Sequence, residues 1–261
     1  MEWESLLNTY KLKISYDGTD YYGWQIQPNV KTIQGDLNQT IAKVFNDDSV
    51  LTMASGRTDS GVHARAQVVK LSLSRSIPSA NLKKGLNDTL PTGIKIIEAC
   101  ECDESFHPIQ DSLSKEYRYY LSFEDPGLFL YRYVAHFQGD FDLAKLEKGM
   151  DFFHGEKSFH NFFCVGTPVN SYIREIFEAD LSQLNQVGPF GVEGRAIFCL
   201  KFRGSGFLKQ MVRLMVGTLL DYAQGKISAA QFEDLFDPEL KSERRFVAPA
   251  HGLFLHEVSY A

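Results

Sequence analysis

Between Ala54 and Val68 the chain reads ASGRTDSGVHARAQV. Arg57, Asp59 and His63 stand close together there, with Gly56 and Gly61 among them. A carboxylate can act as a nucleophile or as a general acid or base. Either role needs a fixed orientation and a controlled charge. Arg57, two residues before Asp59, supplies a cation that keeps the carboxylate ionised. The two glycines permit unusual backbone angles or close approach by a large ligand. His63 can contact such a ligand or tie the loop down. The same residues also make an ordinary Arg–Asp salt bridge in a surface turn. The remainder of the chain has to decide between these readings.

Bulk composition narrows the choice. With 261 residues, 44% hydrophobic and 23% charged, the chain suits a soluble globular protein of one large or two smaller domains. No apolar run approaches the ~20 residues of a membrane span. The opening MEWESLLNTYKLK has early acids and no apolar core, so no secretory signal is expected. Cys100 and Cys102 form a C-x-C pair, while Cys164 and Cys199 stand apart. No second cluster or histidine pair lies at zinc spacing, and His154 and His160 flank GEKSF without an H-E-x-x-H pattern. Reduced thiols in a cytoplasmic protein, with no metal, are the expectation.

Charge gives a mixed message. Lys and Arg number 27 against 33 Asp and Glu, a net charge of -6, which argues weakly against nucleic acid. The distribution argues the other way. Acids bunch in EACECDE and FEDLFDPE, whereas Lys201, Arg203, Lys209 and Arg213 have no acid among them. Arg57, Arg65, Lys70 and Arg75 surround Asp59. A locally basic face on an acidic protein attracts phosphate; scattered solvated charges are the plainer alternative.

The elements that must carry these residues follow from periodicity. YKLKISY alternates as a strand, and DGTDYYGWQIQPN is turn-rich. Ile33, Leu37, Ile41 and Val44 mark a helix with Thr32 as its N-cap. AQVVKLSL is a second strand, fed by the Asp59 loop; SANLKKGLNDTLP is a short helix; GIKIIEA is a third strand. The order then recurs. EYRYYLSF is an aromatic strand, and FDLAKLEKGMDFF a helix with Leu143, Leu146, Met150 and Phe153 on one face. FEADLSQL and RAIFCLKF alternate as strands, GFLKQMVRLMVGTLLDYAQG is a long helix, and Ser228 with Gln231 forms a capping box. GLFLHEV closes the chain as a strand. This order predicts an α+β fold of two similar lobes, a sheet backed by helices, with a composition shift near residue 104 dividing 1–104 from 105–261.

Six blocks carry a resemblance along nearly the whole chain. They are YDGTDYYGWQIQ, GRTDSGVHA, LNDTLP, KEYRYYL, FRGSGFLKQMVRLMVGTL and APAHGLFL, in that order. Together they resemble the tRNA pseudouridine synthase A family. The resemblance implies the pseudouridine synthase fold, with antiparallel or mixed sheet in both lobes and a central cleft. It also implies isomerisation of uridine to pseudouridine in the anticodon stem-loop of tRNA, at positions 38, 39 and 40, with no organic cofactor and no metal. It places the catalytic aspartate at Asp59, the active-site aromatic at Tyr117 and the basic helix residue at Arg213. Arg57 joins Asp59 and Tyr117 in catalysis. Tyr117, Arg57, His63, Arg213 and Lys209 bind substrate. A homodimer in the cytoplasm, with tRNA as partner, completes the expectation. A bare strand tyrosine or helix arginine would otherwise read as core or as a snorkelling surface residue.

Two departures lie outside the aspartate signature. Where the family often reads F-H-A-R, this chain has FHPI, which puts Ile109 in place of a basic side chain. The family's G-x-H-D-F block is GEKSF here, with Lys157 and Ser158 inside it. Both bear on RNA contacts. An RNA-binding protein without turnover is the competing reading, but binding alone does not require Asp59. An aspartate-dependent hydrolase or phosphotransferase lacks a phosphate-cradling glycine loop.

Overall fold

A computed structural model describes residues 8–47, 50–164, 169–184, 195–240 and 246–261. The chain forms two compact units. The first runs to Leu113 and takes back Leu255–Ala261 from the C-terminus; the second is Ser114–Phe254. That return of the last strand is invisible to a composition shift near residue 104.

In the first unit the order is β1 (Asn8–Tyr16), α1 (Ile33–Phe45), β2 (Leu51–Ala54), β3 (His63–Leu73), α2 (Ser79–Asn87) and β4 (Ile94–Glu101). Strand β1 lies between β4 and β3, antiparallel to both. Its alternation buries Tyr10, Leu12, Ile14 and Tyr16 and leaves Lys11, Lys13 and Ser15 partly exposed. Strand β3 carries β1 on one edge and β2 on the other, and is buried along most of its length. Thr32 caps α1 through its side chain, which accepts from Gly35 N at 3.2 Å. Ile33, Leu37 and Ile41 are fully buried beneath that helix, while Val44 at its end is only half-buried.

The second unit contains β5 (Ser114–Ser122), β6 (Ala135–His136), α3 (Leu143–Met150), β7 (Gly155–Ser158), β8 (Ile173–Leu184), β9 (Ile197–Gly204), α4 (Met211–Ala223) and α5 (Ala229–Glu233). Its sheet runs β5-β9-β8-β7 in antiparallel order, and the short β6 lies parallel to β5. A cluster of phenylalanine rings fills its core, with Phe153 edge-on to Phe162, Phe202 and Phe232. The last strand, β10 (Leu253–Ser259), ends in the first unit beside β3. The fold is therefore α+β with mostly antiparallel strands, as expected.

Three local expectations need correction. Leu143 does not share the buried face of α3; it is exposed at the first helical position, just after the Asp142 cap. The helix expected from Gly206 begins only at Met211, because Gln210 takes a left-handed conformation with φ 61°. Strands β2 and β7 were missed, each being four residues long, too short for a period to declare itself. Among the described residues, no helix is long and apolar enough to cross a membrane.

Candidate active site

The Asp59 loop joins β2 to β3 and is held by the turn-rich stretch that follows β1. Val62 N donates to Asp59 O at 3.1 Å, closing a four-residue turn. Gly61 occupies its third position at φ 77°, the left-handed backbone that a type II turn requires there. The neighbouring stretch docks by backbone. Trp24 N donates to Thr58 O at 3.1 Å, and Gly61 N donates to Tyr21 O at 3.2 Å. Ser60 Oγ adds a bond to Tyr21 O at 3.3 Å. Gly23 sits at φ 86°, and a Cβ there would lie 2.5 Å from Thr58 O. Only glycine allows the two loops to close this tightly. The DGTDYYGWQ block and the GRTDSG block are thus one structure.

Within this loop the candidate residues separate by exposure. Arg57 is exposed and Asp59 is half-buried. His63, the first residue of β3, is only 1% exposed. Its Nδ1 lies 3.1 Å from both Gly18 N and Asp17 Oδ1. One nitrogen serves one of these at a time. An Nδ1 without a proton accepts from Gly18 N–H; an Nδ1–H donates to Asp17. Of the two roles open to His63, the geometry is that of an anchor fastening the Asp17–Gly18 turn to β3.

The other candidates stand in the second unit. Tyr117 lies on β5 opposite Phe202 of β9 and is 7% exposed. Its ring meets Phe207 edge-on, with centroids 5.0 Å apart. Phe207 belongs to the loop between β9 and α4, so Tyr117 is linked to the segment that carries Lys209 and Arg213. Lys209 is exposed. Arg213 is half-buried on α4; its Nε donates to Ala248 O at 2.7 Å, and Ala248 N donates back to Arg213 O at 3.1 Å. The APAH stretch is thereby clasped to α4. Tyr119, two residues along β5, has its hydroxyl buried against Pro249 O at 2.9 Å. Burial pushes its pKa far up, so it stays protonated.

The basic run from Lys201 to Arg213 does not act as one patch. Lys201 and Arg203 alternate on one face of β9 and meet Glu178 of β8. Arg203 Nε donates to Glu178 Oε1 at 2.8 Å, and Lys201 also lies 3.6 Å from Asp180. Hydrogen bonds from Lys201 and Arg203 hold the Glu178 carboxyl below its usual pKa. Cross-strand acids, distant in sequence, neutralise half of the run.

Sequence reasoning passed over the residues beneath the loop, above all Tyr16 and Gln67. A lone glutamine within the apolar run AQVVKLSL was the available signal. Among the described residues, no group of three or more His, Cys, Asp or Glu could hold a metal ion. Among the described residues, no cysteine is joined in a disulfide.

An α+β scaffold that clamps an Arg-Thr-Asp turn from two sides defines a class built around one positioned carboxylate. The tRNA pseudouridine synthase model matches residues 13–109 and 150–261. The chain belongs to that family of isomerases. It is 36% identical over 252 residues to tRNA pseudouridine synthase A of Bacillus pumilus, covering 96% of this chain and 98% of that protein. The protein of the same name from Geobacter sp. is 37% identical over 252 residues, again 96% and 98%. That of Thermodesulfovibrio yellowstonii is 35% identical over 253 residues, also 96% and 98%.

Proposed function

We propose that this protein isomerises uridine to pseudouridine in the anticodon stem-loop of tRNA, at positions 38, 39 and 40, with Asp59 as the nucleophile. The observation that carries the proposal is the Arg57–Thr58–Asp59 turn. Its backbone is bonded on both sides, by Trp24 N at Thr58 O and by Val62 N at Asp59 O. A turn held in this way fixes the backbone from which the Asp59 carboxylate projects, which supports its use as a positioned nucleophile. The overall reaction balances without a redox partner. The bond from N1 to the ribose C1′ breaks, the base turns, and C5 bonds to C1′. N1 gains a proton and C5 loses one.

The other roles follow from chemistry and exposure. A stem uridine must leave its stack, at a cost of a few kcal/mol. Stacking on the Tyr117 ring returns about 1–3 kcal/mol, and the Tyr117 hydroxyl assists removal of the C5 proton. Exposed Arg57 and Lys209 contact phosphate or fill the vacated place in the stem. Arg213 orients the substrate, and His63 supports the loop. A cytoplasmic homodimer with tRNA as its partner is part of the same reading.

The test is Asp59→Asn on purified protein. We expect loss of pseudouridine formation, with tRNA affinity within about tenfold of wild type. Near-normal turnover would remove Asp59 from the mechanism. Wild-type protein that binds tRNA and forms no pseudouridine would favour a binding protein without turnover.

A further inference from the structure

Beneath the Asp59 turn lies a polar network that the proposed chemistry does not use directly. Its centre is Gln67, fully buried on β3. Gln67 Nε2 donates to Gly56 O at 2.8 Å, and Gln67 Oε1 accepts from Ser55 Oγ at 2.6 Å. A second, longer contact at 3.5 Å runs from Nε2 to the Tyr16 hydroxyl. Tyr16 in turn meets Thr58 Oγ1 at 2.8 Å. Ser55, like Gln67, is wholly inaccessible, and Tyr16 and Thr58 are buried too.

Donor and acceptor counting orders this chain. A carbonyl only accepts, so Gly56 O requires the NH₂ side of the Gln67 amide. The amide oxygen must then face Ser55, whose hydroxyl donates. The remaining N–H points to the Tyr16 oxygen, and between Tyr16 and Thr58 either hydroxyl can be the donor. An amide rotated by half a turn would set two oxygens against each other at Gly56. The Gln67 amide therefore has one orientation, in a network running Ser55, Gln67, Tyr16, Thr58. Burial pushes the Tyr16 pKa up to about 12, so its proton stays in place at neutral pH.

The strand pairing is adapted to make this reach possible. Ile14 pairs with Gln67, yet Tyr16 pairs with Ala64, which marks an irregularity in the β1–β3 ladder. Such irregularities re-aim side chains beside functional sites. An apolar residue at position 67 would serve a buried strand as well and would carry no desolvation cost. What the amide adds is a grip on the loop. The network holds the loop at Gly56 directly and at Thr58 through Tyr16; these two residues bracket Arg57, and Thr58 immediately precedes Asp59.

The geometry points to Gln67, Tyr16 and Thr58 as positioning residues that set the pose of the Asp59 turn for uridine isomerisation. This rests on the reaction proposed above. None of the three is assigned contact with the substrate; each acts through the loop backbone. Their removal lowers the rate of the chemical step and leaves tRNA affinity alone.

The experiment measures single-turnover pseudouridine formation at saturating tRNA, tRNA affinity and thermal unfolding for each variant. Tyr16→Phe keeps the ring packed near Trp24 and removes only the hydroxyl. Thr58→Val removes the partner hydroxyl, and Thr58→Ser restores one. Gln67→Met removes the amide at similar length. We expect Tyr16→Phe and Thr58→Val to fold and to lose about 10- to 100-fold in rate, as small misplacements do. Affinity should stay within about twofold, and Thr58→Ser should recover most of the rate that Thr58→Val loses. Folded Tyr16→Phe and Thr58→Val proteins at the wild-type rate would overturn the inference. So would a loss of rate matched by a loss of affinity, or a serine variant no better than valine. If Gln67→Met fails to fold, the first two variants decide alone. Wild-type protein that forms no pseudouridine would instead defeat the proposed reaction, and this inference with it.

Discussion

Tyr117 carries two tools on one side chain, a ring and a hydroxyl, and they are separable by mutation. Tyr117→Phe keeps the edge-on contact with Phe207 and removes the hydroxyl. The expected outcome is nearly normal tRNA binding with a fall of about 10²–10⁴-fold in single-turnover rate, the usual size of general acid–base assistance. Tyr117→Leu should also weaken binding, by the ~1–3 kcal/mol of a lost stacking contact. Tritium release from C5-labelled tRNA measures the rate of both variants. A phenylalanine variant as fast as wild type would make Tyr117 a platform only. Tyr117 was singled out in the sequence only through the family resemblance that KEYRYYL shares with the other blocks. Phe207 was not legible, because it sits in a stretch whose apolar spacing reads as the start of the next helix.

At the scale of elements, β5 places a second unusual group beside Tyr117. Lys115 is buried on the strand and stands on the same side as Tyr117, since side chains alternate. Burial, with a smaller contribution from the Arg174 charge, lowers its pKa from 10.5 to about 8. In the unfolded chain this lysine keeps its ordinary value. Between the two pKa values the unfolded state holds the extra proton, so Lys115 makes stability rise as pH increases through that window. Below about pH 8 both states are protonated, and the full cost of burying the charge is present. Lys115→Met should therefore raise the unfolding midpoint at pH 7 and reduce its rise between about pH 8 and 10. Equal pH dependence in the two proteins would show that Lys115 is not desolvated. The sequence reading treated Lys115 only as part of a motif, for burial is a property of the neighbouring strands.

Over the whole molecule, a net charge of -6 must coexist with a polyanionic substrate. Counterion release makes tRNA affinity fall steeply with salt, each neutralised phosphate adding to the slope. The bases differ in how available they are. Lys201 and Arg203 are engaged by Glu178, whereas Arg57 and Lys209 are exposed. Arg57→Ala and Lys209→Ala should each reduce the salt slope by about one unit, and Arg203→Ala should leave it nearly unchanged. Affinity titrations between low and moderate salt measure all three. An Arg203 variant with the largest effect would contradict the assignment.

Local features were readable directly. The alternation of YKLKISY declared β1, and Thr32 declared the start of α1 through a bond only three residues long in sequence, while GRTDSGVHA pointed to Asp59 through the family resemblance. The first two rest on interactions between near neighbours, where residue type and spacing suffice. What holds Asp59 in place is different in kind. Tyr16 and Gln67 come from separate strands, joined to the loop by bonds spanning 42 and 11 residues. Glu178 neutralises Lys201 and Arg203 across a strand pair, and the last strand returns to the first unit. These depend on which strands become neighbours. Strand neighbours are chosen by the burial of the whole chain, so only the folded structure turned a list of basic residues into paired and exposed ones, and a reactive motif into a positioned turn.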